Sequence, residues 1–163
     1  MKNRTRRICI FVVAFVALIL LAVFRPFNRF SSATVRAVRN DPTLVLYSLN
    51  PNRSEAGTSG KELFRGYAIL GQTTINEPKN REIVVGELKR ATRGGWALAM
   101  CFDPRHGIRA TNRTGVYDLL LCYQCNKAYV FSPDGHRTIV PILGPSTTLN
   151  AILTAAHVPL PEQ

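Results

Sequence analysis

The stretch that decides the fold is "WALAMCFDPRHGIRATNRTGVYDLLLCYQCNKAYVF", residues 96–131. It is rich in β-branched, aromatic and aliphatic residues and carries Gly, Asn and Asp-Pro at intervals. Its segments "WALAMCF", "VYDLLLCY" and "KAYVF" read as strands, and "NRTG" at 112–115 supplies a turn. Strands joined by such short turns run antiparallel. A turn on "NRTG" makes opposite residues sum to about 227 in number, so Cys122 faces Arg105 and Cys101 faces Asn126. A bulge at "DPRHG" would instead bring Cys101 opposite Cys122. In both registers Cys101 meets the "CYQC" end.

The neighbouring segments extend this sheet. "TLVLYSLNP" (43–51) is β-rich and ends at Asn-Pro. "NPNRSEAGTSG" (50–60) is a loop by composition. "LFRGYAILGQTTI" (63–75) is a second strand, with Gly66 and Gly71 marking bends or close backbone approach. "SPDG" (132–135) is a turn, and "HRTIVPIL" (136–143) is a last strand whose Pro141 suits a sheet edge. Two segments have helical spacing. "EPKNREIVVGELKRA" (77–91) places Ile83, Val84, Leu88 and Ala91 on one face, with Pro78 in the first turn and Lys89 and Arg90 near the end. "STTLNAILTAAHV" (146–158) is capped by Ser146 or Thr147 and turns Leu149, Ile152, Leu153 and Ala156 inward. These elements make an α+β fold, a small, mostly antiparallel sheet with two packed helices. Trp96 is expected in its core.

The charge is distributed unevenly. The chain of 163 residues has a net charge of +11, yet eight of its 21 basic residues fall within the first 39 positions, where there is no acidic residue. The remaining 13 face ten acidic ones, so the sheet-forming part is close to balanced. A nucleic-acid surface needs a basic stripe on the folded part, so no nucleic-acid partner is expected. Here the basic residues bracket "ICIFVVAFVALILLAVF" (8–24), which has no charge, Pro or Gly. As a helix it spans about 26 Å, and flanking Arg side chains can snorkel to cover a hydrocarbon core of about 30 Å. Arg25, Pro26 and Arg29 separate it from the small residues "SSA", which disfavours signal-peptide cleavage. The expected layout is a cytoplasmic basic segment (1–7), a transmembrane signal anchor (8–24), a stalk (25–40) and an extracytoplasmic α+β domain (41–163). The lipid membrane is then a partner through 8–24, and the protein is single-pass.

Three cysteines lie beyond the anchor, so a pure disulfide framework leaves one over. Cys101, His106, Cys122 and Cys125 also match a Cys3His zinc set, though the spacing C-x4-H…C-x2-C is not diagnostic. A disulfide from Cys101 to Cys122 or Cys125, a metal site, free structural thiols and a redox role all remain open. Geometry divides them. In a regular strand Cys122 and Cys125 point to opposite faces. They share a face only if "CYQCN" forms a tight knuckle with Asn126 in the left-handed region. Cys101 and His106 could also form a thiolate–imidazole pair, but no third group orients them. Arg105 and Arg109 could form an anion-binding corner, against a plain solvated hairpin. No paired carboxylates, Ser-His-Asp set, metalloprotease helix or phosphate loop is present. The sequence therefore favours a non-catalytic binding or structural domain whose Cys/His cluster stabilises the hairpin, with a metal-binding or thiol-redox protein as the alternative.

"RGYAILGQT", "CFDPRHGIRA" and "DLLLCYQC" together resemble a group of uncharacterised bacterial membrane-anchored or lipoprotein-like proteins. Those carry G-Y-x-x-L-G, C-F-x-P-R-H-G and C-[FY]-x-C segments in that order. The similarity covers roughly residues 62–160. It implies that Pro104, Arg105 and Gly107 belong to one motif with Cys101, His106, Cys122 and Cys125. It also implies a bacterial, extracytoplasmic protein, and it implies no reaction. Unlike the lipoprotein members, this chain has no lipobox cysteine.

Overall fold

The computed structural model describes residues 15–16, 29–52, 62–92 and 99–161. Helix α1 (Ser32–Asn40) is followed by β1 (Leu44–Leu49), β2 (Leu63–Phe64), β3 (Tyr67–Ile75) and α2 (Pro78–Ala91). Then come β4 (His106–Asn112), β5 (Gly115–Cys122), β6 (Lys127–Phe131), β7 (Arg137–Pro141) and α3 (Thr147–Ala155). The strands form one sheet in the order β2-β3-β1-β4-β5-β6-β7, antiparallel at every junction. The segments 1–7 and 8–24, apart from Phe15 and Val16, lie outside the described residues, as do Trp96 and most of the loop at 50–60. Among the described residues no helix is long and apolar enough to cross a membrane.

The sheet has a helix-covered face and an aromatic face. Period-2 alternation sends Leu44 and Leu46 of β1, Ile108 and Ala110 of β4, and Leu119 and Leu121 of β5 to the helices. There they meet Val38 of α1, Val84 and Leu88 of α2, and Leu149 and Leu153 of α3. Each of these large aliphatic side chains is almost fully buried, worth about 1.5–3 kcal/mol apiece in apolar transfer. Within α2 the inner face is Val84, Val85, Leu88 and Ala91, while Ile83 is 42% exposed. The expected face was therefore rotated, with Val85 taking the place assigned to Ile83.

Residues 25–40 were expected to be a stalk, but their second half is part of the fold. Ser31 caps α1 by accepting from the Thr34 amide at 3.0 Å. Ala37 and Val38 are fully buried. The stripe of Thr34, Ala37 and Val38 is made of small residues among arginines, so it looks like linker composition until α2 and β4 are packed on it. Among the described residues there are thus three packed helices rather than two. The Asp41 carboxylate then ties the helix exit to the sheet. It accepts from the Thr43 amide and hydroxyl at 2.8 and 2.9 Å and from the Thr111 amide on β4 at 2.6 Å.

Over its described part, residues 99–102, the expected 96–102 strand is not found. Residues 99–105 are described as irregular chain, and β4 starts at His106. Asp103-Pro104 does not break a strand. Proline holds its predecessor extended, and the chain leads straight into β4, the Leu49 amide donating to the Arg105 carbonyl at 3.0 Å. The register from the "NRTG" turn is nevertheless the one found, with Asn112 opposite Gly115 and His106 opposite Leu121. The 63–75 strand divides at a tight turn, where Arg65 and Gly66 have φ of 51° and 85°.

Gly107 has a packing role. A Cβ built there would lie 2.7 Å from two ring carbons of Phe64 and 3.2 Å from Leu49. Phe64 is itself stacked on Tyr47, ring centroids 4.4 Å apart, so it has little room to retreat. The Gly107→Ala variant is expected to lose about 2 kcal/mol of stability through overpacking. Urea unfolding checks this, and a loss below about 0.5 kcal/mol, the usual surface range, would contradict it.

Candidate functional site

Strand β5 ends at Cys122 and β6 begins at Lys127, so residues 123–126 must reverse the chain. Asn126 does this in the left-handed region, φ 54°, and its amide donates to the Tyr123 carbonyl at 3.3 Å. Asparagine tolerates this conformation better than most residues. The resulting knuckle puts Cys122 and Cys125 on one side, and they form a disulfide with Cα atoms 5.2 Å apart. The disulfide is thus within "CYQC", not from Cys101 to either cysteine of that pair.

Cys101 is brought to the same corner by the 99–103 segment. The Ala99 amide donates to the Cys125 carbonyl at 3.2 Å, and the Asp103 amide donates to Cys125 Sγ at 3.3 Å. Lys127 Nζ donates to the Ala99 carbonyl at 2.8 Å and lies over the Phe102 ring. Phe102 in turn stacks on Tyr129, centroids 3.8 Å apart. So fastened, Cys101 Sγ lies 3.1 Å from Cys125 Sγ. Cys101 is an exposed free thiol, whereas Cys122 and Cys125 are buried. The Cys125 amide donates to Cys122 Sγ at 3.1 Å. Backbone N–H groups aimed at sulfur favour its thiolate form.

His106 is not part of this corner. Alternation along β4 puts it in the row with Ile108 and Ala110, facing the helices. Its Nε2 lies 2.7 Å from Asn150 Oδ1 on α3, and its ring meets Tyr123 edge-on. Burial lowers its pKa to about 4, so the imidazole is neutral near pH 7. Tyr123 donates to Glu87 Oε1 at 3.0 Å, and burial raises its pKa. His106 also lines an open cavity of about 310 Å³ together with Arg105, Gln124, Ser146 and Asn150.

The expected Cys3His set is therefore split between the two sides of the sheet, and the candidate metal group is instead Cys101, Asp103 and Cys125, with ligand atoms within 4.8 Å of one another. Asp103 was not among the expected site residues, although its place two residues after Cys101 could have marked it. Arg105 and Arg109 do not form one anion corner. Arg105 donates to Gln124 Oε1, and Arg109 makes two bonds to Asp118 at 2.8 and 2.9 Å. Pro104 is buried at the entry to β4, and Gly107 is held by Phe64.

Asp118 anchors the aromatic face. It is fully buried, and Arg65 reaches it from the β2–β3 turn and Arg109 from β4. Those guanidinium groups lie over Phe131 and Phe64, at 4.5 and 5.3 Å from the ring centroids. Compared with protein-family models, curated proteins and solved structures, the chain matches none.

Proposed function

We propose that the chain is a single-pass bacterial membrane protein whose extracytoplasmic domain carries a thiol–disulfide centre at Cys101, Cys122 and Cys125. The observation that carries this reading is the exposed Cys101 sulfur 3.1 Å from Cys125, a cysteine already bonded to Cys122. A disulfide that only braced the turn has no need of a third thiol held against it by a segment fastened through three backbone and side-chain hydrogen bonds. The membrane placement rests on the apolar run at 8–24 with its basic flanks, on the family resemblance, and on the oxidising compartment in which disulfides persist. The anchor makes the lipid membrane a partner, and the near-balanced charge of the domain speaks against nucleic acid.

A second reading has its own observation. Cys101, Asp103 and Cys125 converge closely enough to hold a cation once the disulfide is reduced, and Cys122 would complete a three-thiolate set. Zinc fits that donor set. One experiment separates the two. The full chain is purified in detergent without reductant, and its intact mass, alkylatable thiols and bound metal are measured. A mass two hydrogens below the fully reduced value, with a single thiol among Cys101, Cys122 and Cys125, is expected. One equivalent of zinc, with three thiols freed by a chelator, would replace the thiol–disulfide reading with the metal one.

A further inference from the structure

We infer that the corner is a disulfide relay, in which the bond moves from Cys122–Cys125 to Cys101–Cys125 and is then handed from the Cys101 sulfur to a dithiol outside the domain. This rests on the thiol–disulfide reading and adds a direction, an entry sulfur and a class of acceptor. Cys122 is 1% exposed and Cys125 is 0% exposed, so an incoming thiol has no path to the stored bond. Cys101 is exposed, and Met100 beside it is fully exposed. Among the described residues, the only sulfur that meets both solvent and the disulfide is therefore that of Cys101.

The first step is internal. Cys101 gives its proton to solvent, and its sulfur attacks Cys125 Sγ. The Cys101–Cys125 bond forms as the Cys122–Cys125 bond breaks, and the electron pair leaves on Cys122. The Cys125 amide already donates to that leaving sulfur at 3.1 Å, and the Cys122 thiolate then takes up a proton. Nothing is oxidised or reduced overall. In the second step a thiolate of the acceptor attacks Cys101 Sγ, forming a mixed disulfide. Cys125 leaves as a thiolate, to which the Asp103 amide donates, and is protonated. In the third step the acceptor's other thiolate attacks its own sulfur in the mixed disulfide and releases Cys101. The acceptor's two thiols have then lost two electrons and become a disulfide, while the Cys122–Cys125 pair has gained them and become two thiols. The low exchange barrier of such steps depends on thiolate fraction and access, and the corner supplies the access only through Cys101.

The test uses the full chain in detergent and two probes in separate arms: a synthetic peptide with two reduced cysteines, and dithiothreitol. Acid-quenched alkylation with peptide mapping reports which sulfurs are free. Before any probe is added, a fraction of the wild-type chains should carry the label on Cys122 in place of Cys101. The Cys101→Ser variant should keep the Cys122–Cys125 bond and lose it to the peptide at least tenfold more slowly than wild type. Cys122→Ser, which can hold only the migrated bond, should form Cys101–Cys125 and react at least as fast as wild type. A faster reaction with the peptide than with dithiothreitol identifies a protein acceptor, and equal rates identify a small dithiol. Wild-type rates in Cys101→Ser, or two persistently free thiols in Cys122→Ser, would overturn the relay while leaving the stored disulfide in place. Three free thiols in the untreated wild-type corner would instead overturn the thiol–disulfide reading beneath it.

Discussion

Stability of the folded domain is expected to fall by about 3 kcal/mol between pH 6.5 and pH 4 because of His106 alone. Its pKa moves from 6.5 in the unfolded chain to about 4 in the fold, chiefly through burial. Between those values the unfolded state binds a proton that the folded state refuses, so stability rises with pH in that window. The contribution is complete above about pH 6.5 and is lost as pH falls toward 4, at about 1.4 kcal/mol per pH unit. The Asn150 side chain opposes the shift by bonding Nε2. Arg105 adds to the shift, and Glu87 opposes it. The cost is real because Nδ1 is buried without a hydrogen-bond partner among the described residues, as is Ser48 Oγ directly across the β1–β4 pairing. Urea unfolding at pH 7 and pH 4.5 measures it against His106→Gln, which can still bond Asn150 but cannot titrate. Parallel losses in the two proteins would remove His106 as the cause.

Asp118→Asn is expected to cost a similar amount, about 3 kcal/mol, at neutral pH. The carboxylate is fully buried and is the shared acceptor of Arg65 and Arg109, whose side chains are 39% and 44% exposed. Removing it leaves two guanidinium groups over Phe131 and Phe64, with Glu62 the weaker remaining counter-charge to Arg109. Breaking a buried pair by deleting one partner typically costs about 3–5 kcal/mol, and partial hydration of the arginines places this case at the lower end. The reverse substitutions are milder. Arg65→Met leaves Asp118 bidentate with Arg109, so a loss of about 1 kcal/mol is expected. The ordering Asp118→Asn well above Arg65→Met, read from urea midpoints, is the decisive result. Equal losses would mean that the pairs act independently and that the carboxylate is not their hub.

Local chemistry was legible where a short segment determined its own geometry. "NRTG" set the β4–β5 register because a two-residue turn leaves no slack. The "CYQCN" knuckle was a stated condition for Cys122 and Cys125 to share a face, and Asn126 meets it. Helix α2 was marked by Pro78 and by its basic last turn. Tertiary partners decided the rest. Ser32–Asn40 has too little apolar surface to announce a helix, and becomes one because α2 and β4 cover it. The 99–102 segment, expected to end a strand, forms no sheet pairing. It is spent instead on bonds to the knuckle, through Ala99 and the adjoining Asp103. His106 was grouped with the cysteines by distance along the chain. Its even-numbered company, Ile108 and Ala110, already pointed to the other side of the sheet, but the Asp-Pro step concealed that β4 began there.

If the chain is anchored as proposed, the early start of the fold limits where the protein can act. Phe30 is already in the core and α1 follows at once. With an anchor ending near residue 24, only five residues form the leash between bilayer and domain. Fully extended, such a leash reaches at most about 20 Å. Under that proposal the domain carrying Cys101 stays next to the lipid surface, and the search volume open to it is close to two-dimensional. A client held in the same membrane would meet it at a high effective concentration. A freely diffusing one would have to come to the surface.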